Sequence, residues 1–97
     1  MSVNVILDLH VSPENREELL SFLTATLADT RAYKGYISSV MTSNEDDIHN
    51  IVLLEQWQQR SDHENYITWR TERGDASKLL NLLSSPPVIR YLATIPT

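Results

Sequence analysis

The sequence predicts an α+β fold in which helices cover one face of a four-stranded sheet. Four segments have the β-branched content and two-residue alternation of strands, and three have apolar residues at helical spacing. They follow one another in the order β-α-β-β-α-α-β, and one pair of strands is joined by a polar turn. No internal repeat or linker interrupts this order. We therefore expect residues 1–97 to form a single domain.

The first half of the chain predicts a strand, a helix and a hairpin. Residues 3–11 form the first strand, and Ser12 then serves as a helix N-cap with a proline at the first helical position. A stripe of leucines continues this helix, which ends before Gly35, a residue suited to left-handed backbone. Strands over 36–43 and 49–57 follow, and the polar residues between them predict a turn slightly longer than a tight one.

The second half predicts two helices and a last strand. Ser61 followed by Glu64 is a capping-box pattern that opens the second helix, and Gly74 ends it. Asp75 is placed to cap the third helix, which a pair of prolines ends. Residues 88–95 then form the final strand.

Composition and charge exclude several classes of protein. The chain has 8 Lys and Arg against 13 Asp and Glu, a net charge of -5, which argues against nucleic acid or an anionic membrane as a partner. It has no cysteine, so we expect neither disulfides nor thiolate-ligated metal. The first ten residues lack the basic start of a signal peptide, and no apolar run is long enough to span a bilayer. We expect a cytoplasmic protein.

The predicted sheet has apolar residues on both faces. In the third strand, Ile51 and Leu53 lie on one face while Val52 and Leu54 lie on the other. Helices cover only one face, and a chain this small buries about 60–65% of its unfolded surface, which makes a lone monomer marginal. We therefore expect a homodimer formed by sheet-to-sheet packing.

Several local patterns resemble the antibiotic biosynthesis monooxygenase family. The connection after the first helix, residues 30–36 (TRAYKGY), is similar to the family's T-R-x-x-x-G segment. Residues 54–57 (LEQW) resemble its E-x-W signature at the end of the third strand. Residues 66–70 and 85–91 are similar to later segments of some members. The resemblance extends over residues 3–93.

This resemblance implies a ferredoxin-like fold that pairs into a dimeric α/β barrel. It also implies chemistry without a cofactor or metal, since members include monooxygenases that oxidise phenols, anthrones or quinols with molecular oxygen. Other members degrade haem. That branch is disfavoured here, because Asn4 falls too early in the first strand and Ala76 lies near the position expected for the histidine ligand.

Cofactor-free oxygenation needs an apolar pocket, a base and a group that stabilises the substrate anion. Trp57 matches the family tryptophan that lines the pocket in some members. Tyr66 and Trp69 are three residues apart and share a helix face, so they are candidates to roof a pocket. Arg70 is a candidate anion stabiliser. Core packing for the aromatic residues and an exposed ion pair for Arg70 are the alternatives, and we expect Glu55 to be a buried structural acid.

Histidine is the natural base near neutral pH, and the candidates are His10, His49 and His63. His10 lies two residues after Asp8 on the same strand face, where the carboxylate would orient the ring. The spacing of the histidines matches no helical metal-binding motif, so we expect no metal site. Each histidine has an alternative interpretation as an ordinary surface residue.

Three functional hypotheses follow. The first is a cofactor-independent monooxygenase acting on a quinol, phenolic or polyketide-type aromatic compound. The second is a dimeric barrel that binds a small ligand, or acts in a stress response, without catalysis. The third is another reaction on the same fold, such as an isomerisation, for which one acid–base residue suffices.

Overall fold

The computed structural model describes residues 2–97 and has the predicted order of strands and helices. A short 3₁₀ turn, Pro13–Asn15, precedes the first helix. The strands are β1 (Val3–His10), β2 (Tyr36–Asn44), β3 (Asp47–Trp57) and β4 (Val88–Leu92), and the helices are α1 (Arg16–Ala32), α2 (Arg60–Glu72) and α3 (Asp75–Leu82). No helix within the described residues combines the length and the apolar character that crossing a bilayer requires.

The four strands form one antiparallel sheet in the order β2-β3-β1-β4. The central pair, β1 and β3, places Leu7 opposite Leu53, and β4 adds Ile89 opposite Leu7. This topology confirms the predicted α+β, ferredoxin-like class.

The helices cover one face of the sheet, which we call the helix face. Two groups of buried side chains lie there. One is centred on Leu9, Leu19 and Ile51, and the other consists of Val5, Trp57 and Tyr66. Trp57 is fully buried and packs edge-on against Tyr36. The aromatic group fills one end of the domain, and the aliphatic group fills the other.

The opposite side of the sheet, the open face, carries an apolar strip as the sequence predicts. Leu54 of β3 lies opposite both Ile6 of β1 and Val40 of β2. Val40 is 57% exposed and Leu54 is 42% exposed. Val88 and Leu92 of β4 are also exposed. The strip therefore crosses β2, β3 and β1, and on β4 the exposed Val88 and Leu92 lie on either side of Arg90, which is opposite Ile6.

The two glycines end helices as predicted. Gly35 and Gly74 both have positive φ, +90° and +86°, in the left-handed region that favours glycine. A Cβ added at Gly35 would collide with the Asp62 side chain, whereas one added at Gly74 would meet open space. Gly35 is therefore required for close packing as well as for backbone conformation.

None of the three predicted helix caps forms its side-chain hydrogen bond. The capping box does not form, because α2 begins after Gln59 and the Ser61 hydroxyl donates to the Gln59 side chain instead. Asp75 is the first residue of α3 and does not cap it; Gly74 occupies the N-cap position. Ser12 occupies the predicted N-cap position, with Pro13 at the start of the turn, but its side chain makes no cap hydrogen bond.

Each strand has one boundary that differs from the prediction, and β1 ends at His10, one residue early. The hairpin is tighter than expected, because Asn44 pairs with Asp47 and only two residues separate the strands. The Asn44 side chain accepts the Asp46 backbone N–H at 2.9 Å, which stabilises this turn. β4 ends at Leu92, three residues earlier than predicted.

Candidate functional site

A cavity of about 230 Å³ lies between the helix face of the sheet and all three helices. Most of its wall is aliphatic, with Leu7 and Leu53 from the sheet and Leu23, Leu27 and Leu79 from the helices. One part of the wall is polar. The polar residues that line the cavity are Thr26, Thr30, Glu55, His63, Tyr66, Arg70, Thr71 and Asp75. An apolar cavity with a few convergent polar groups is the usual form of a small-molecule site.

Glu55 brings a carboxyl group into this apolar wall. It lies on the helix face because it is two residues from both Leu53 and Trp57 along β3. The Trp57 indole N–H donates to Glu55 Oε1 at 2.9 Å. Burial raises the pKa of the Glu55 carboxyl, and the bond from Trp57 opposes this shift. A carboxylate held in this environment is a stronger base than one in water.

His63 lies beside Glu55 and is 3% exposed. Its Nε2 is 3.8 Å from Glu55 Oε1, and its Nδ1 is 2.8 Å from the Tyr91 hydroxyl. Burial lowers the pKa of His63 to about 4, against the opposing effect of the nearby Glu64 charge. The imidazole is therefore neutral at pH 7, with one nitrogen able to donate and the other able to accept.

Arg70 organises a second polar group at the cavity wall. Its Nε donates to the Tyr66 hydroxyl at 2.9 Å, and its Nη1 donates to Asp75 at 2.8 Å. Its Nη2 donates to the Thr26 carbonyl at 2.6 Å and to the Thr30 hydroxyl at 3.0 Å. These partners belong to α1, α2 and α3, so one guanidinium joins all three helices around the cavity.

The same contacts bear on the chemistry of Arg70. Burial alone would lower its pKa, but the hydrogen bonds to Tyr66 and Asp75 leave the pKa above its ordinary value. The guanidinium is thus permanently charged, and its donors are already engaged by protein acceptors. This geometry suits a residue that holds the cavity wall in place.

The structure brings three of the predicted site residues together at the cavity: His63, Tyr66 and Arg70. Trp57 does not line it and reaches it through the bond to Glu55. Trp69 packs outside the cavity, with its ring centre 5.3 Å from that of Tyr33.

The other two candidate histidines lie away from the cavity. The His10 side chain is 48% exposed, and its Nε2 lies 3.7 Å from Asp8 Oδ1. The two side chains are therefore close together as predicted, but at the surface. The His49 side chain is 39% exposed and lies 3.9 Å from Asp47. The expected exposed ion pair of Arg70 is not observed, since that side chain is only 8% exposed.

Sequence reasoning missed the contributions of Glu55 and Tyr91 to the site. The sequence did contain a signal for Glu55, because the E-x-W spacing puts Glu55 and Trp57 on one strand face. A buried acid next to a pocket is a candidate base. Tyr91 gave no such signal, because its contact with His63 depends on the packing of β4 beside α2. Within residues 2–97, no group of three His, Asp or Glu side chains is gathered in a way that would hold a metal ion.

The arrangement can accept and donate protons in an environment with little water. A carboxyl with a raised pKa and a neutral imidazole face the same cavity, as in sites that remove a proton from a bound substrate. The apolar walls would hold the rest of an uncharged, flat ligand.

Comparison with known proteins identifies the family of the chain. The family model for antibiotic biosynthesis monooxygenases matches residues 2–82. No curated protein sequence matches the chain. A conserved Methanosarcina mazei protein has a similar structure, with a TM-score of 0.86 at 16% identity over 95% of this chain and 91% of that one.

Two further solved structures have the same fold. SnoaB, a cofactor-independent oxygenase from Streptomyces nogalater whose structure is that of a mutant, gives a TM-score of 0.84 at 14% identity, over 99% of this chain and 95% of that one. The structure of a Mycobacterium tuberculosis protein gives a TM-score of 0.79 at 24% identity, over 100% of this chain and 98% of that one. At these identities the structural likeness establishes the fold, and the family match extends over most of the chain. The chain belongs to the antibiotic biosynthesis monooxygenase family.

Proposed function

We propose that this protein is a cofactor-independent monooxygenase that oxidises a small aromatic hydroxyl compound, of quinol, phenol or polyketide type, with molecular oxygen. The observation that carries the proposal is the pair formed by Glu55 and His63, a buried carboxyl and a neutral imidazole 3.8 Å apart at the wall of an apolar cavity. Family membership supports the reaction class. The similar fold of SnoaB, described as a cofactor-independent oxygenase, is consistent with it.

The first step is removal of the substrate's hydroxyl proton. The O–H bond breaks, and the proton passes to the Glu55–His63 pair. The raised pKa of the Glu55 carboxyl favours this transfer, because it brings the base closer in strength to the substrate hydroxyl. The product of the step is an electron-rich aromatic anion within the cavity.

The second stage uses oxygen as the sole oxidant. The anion transfers one electron to O₂, and the resulting radical pair combines at a ring carbon to form a peroxide. When the O–O bond breaks and that carbon loses its hydrogen as a proton, one oxygen atom remains as a quinone oxygen. The other leaves as water with two protons. The substrate loses four electrons and O₂ gains four, so no further reductant is needed.

The cavity volume limits the size of the substrate. An apolar cavity of about 150 Å³ holds benzene. The observed volume of about 230 Å³ therefore suits one aromatic ring with substituents or two fused rings. The hydroxyl group would face Glu55 and His63, and the ring would contact the leucines.

We also propose that two copies of the chain pair through the open face. The exposed strip around Val40 and Leu54 supports this, because an apolar patch that crosses three strands is unusual on a free surface. In sedimentation equilibrium we expect the mass of two chains, and Leu54→Asp should reduce it to one. Met41→Asp is the control, since Met41 is 40% exposed but opposite Leu53 on the helix face. A wild-type mass of one chain at all concentrations would contradict the pairing.

Oxygen consumption tests the proposed reaction. The purified protein is given a panel of one- and two-ring quinols and phenols, and both O₂ uptake and product are measured. We expect uptake by the wild type, and a loss of about 100-fold or more in Glu55→Gln. His49→Ala is the control, because His49 lies away from the cavity.

Other results would favour the alternatives. Ligand-induced stabilisation without any product would indicate a binding protein, since a ligand that binds only the folded state raises the unfolding temperature. Product formed without O₂ uptake would indicate an isomerase. Oxygenase activity that is unchanged in Glu55→Gln would place the reaction elsewhere.

A further inference from the structure

The hydroxyl of Tyr91 makes a contact that the proposed reaction does not use. We infer that Tyr91 is a positioning residue that holds the neutral His63 ring in the tautomer with its proton on Nε2, so that an N–H donor faces Glu55 and the cavity. The tautomer stands on the contacts of a neutral, buried ring and not on the proposed function. Its consequence for catalysis rests on the proposed function.

The position of Tyr91 follows from the sheet. Tyr91 lies opposite Val5 in the β1–β4 register, which directs both side chains to the helix face. There the Tyr91 hydroxyl is 2.8 Å from His63 Nδ1. The guanidinium of Arg60 lies 4.2 Å from the centre of the Tyr91 ring and packs against it from the surface. The ring is thus held between α2 and the edge of the sheet.

The direction of the hydrogen bond selects the tautomer. A phenol is a good donor and a weak acceptor, and an unprotonated imidazole nitrogen is a good acceptor. Tyr91 therefore donates its O–H to Nδ1, and the single proton of the neutral ring must be on Nε2. In the opposite tautomer, the Nε2 lone pair would face the oxygen of Glu55 at 3.8 Å, and the two would repel.

The surroundings of Nε2 leave this nitrogen free to meet a ligand. Every fully buried side-chain nitrogen or oxygen atom in residues 2–97 has a hydrogen-bond partner. His63 Nε2 has no such partner in this part of the chain, so it is not fully buried, and the space that His63 lines is the cavity. The charged or titratable groups around the ring are Glu55 from β3, Tyr91 from β4, and Arg60, Glu64 and Tyr66 from α2 itself.

The tautomer divides the chemistry of the site between two residues. A ring with N–H on Nε2 has no lone pair facing the cavity, so His63 donates a hydrogen bond to the substrate oxygen as negative charge develops there. The substrate proton then passes to Glu55, which is the proton acceptor. No oxidant or reductant is required for this step, because the proton moves from the substrate oxygen to a carboxylate oxygen.

Nitrogen NMR of the His63 ring tests the tautomer directly. In the ¹⁵N-labelled protein at pH 7, we expect a protonated Nε2 and an unprotonated, hydrogen-bonded Nδ1. In Tyr91→Phe, Nδ1 loses its donor, and we expect the two nitrogen shifts to move toward those of a mixture of tautomers. The control is Tyr36→Phe, which removes another partly buried hydroxyl with a 2.8 Å hydrogen bond, in that case to Ser39.

The outcomes separate clearly. A proton on Nδ1 in the wild type would overturn the inference, and so would a His63 spectrum that Tyr91→Phe leaves unchanged or that Tyr36→Phe changes equally. If Tyr91→Phe does not fold, the wild-type spectrum alone decides. Failure of the oxygenase proposal would appear as absent O₂ uptake while the NMR result stands, so the two failures are distinguishable.

Discussion

Replacing the buried Arg70 should destabilise the protein far more than replacing the exposed Arg73, three residues further along the chain at the C-cap of α2. The comparison is close, because both arginines lie near Asp29 and Asp75 and both guanidinium groups pack on the Trp69 ring. They differ in burial. The Arg70 side chain is 8% exposed, and that of Arg73 is 46% exposed.

The expected magnitudes follow from this difference. In Arg70→Met, Asp75 loses its 2.8 Å partner, and the Tyr66 and Thr30 hydroxyls and the Thr26 carbonyl each lose a charged donor. Removing one partner of a buried ion pair costs about 3–5 kcal/mol. Arg73→Met breaks contacts of 3.4 Å and 3.8 Å in solvent, where exposed pairs contribute about 0–1 kcal/mol.

Urea denaturation at one fixed protein concentration measures both losses. With a slope of about 1.5 kcal/mol per molar urea, the Arg70→Met midpoint should fall by about 2 M or more, and the Arg73→Met midpoint by less than about 0.7 M. The fixed concentration matters because dimer stability depends on it. Equal losses in the two variants would refute the reasoning that Arg70 holds the three helices together.

The remaining predictions concern pH and backbone conformation. Because the pKa of His63 is lowered to about 4 in the fold from 6.5, the unfolded chain binds a proton first as pH falls, so stability should decrease between about pH 6.5 and 4. His63→Gln should remove this part of the slope in urea midpoints measured against pH, and an unchanged slope would contradict the assignment. Gly35→Ala should lower the melting temperature more than Gly74→Ala, since both positions have positive φ but only the first would collide with Asp62. Equal losses would show that the collision relaxes freely.

Most of the fold could be predicted from local patterns. Alternation over residues 3–11 and 49–57 identifies strands, and glycines at 35 and 74 mark the helix ends. The caps could not be predicted in this way. Asp75 is a residue type that often caps helices, and it lies at the start of α3. Its carboxylate instead accepts a hydrogen bond from Arg70, which the capping pattern does not include. The contact with Arg70 therefore determines that the Asp75 side chain forms an ion pair and does not cap α3.

The site was less predictable, because burial depends on how distant segments pack. The three histidines are equivalent in sequence terms, yet only His63 is buried beside the cavity, and His10 and His49 are at the surface. Glu55 was predicted as a buried acid, and the cavity next to it appears only when α2 and α3 are packed on the sheet. Tyr91 comes from the last strand and meets α2 through the β1–β4 register.

An anaerobic titration tests the central claim most directly, that Glu55, beside His63 at the cavity wall, removes a proton from an aromatic hydroxyl. A quinol or phenol that supports O₂ uptake is added to the protein without oxygen, and its absorption spectrum is recorded. We predict the red-shifted spectrum of the bound anion with the wild type and with His49→Ala, and the spectrum of the neutral compound with Glu55→Gln. A substrate that binds in neutral form to the wild type, or an anion that forms equally in Glu55→Gln, would contradict the account.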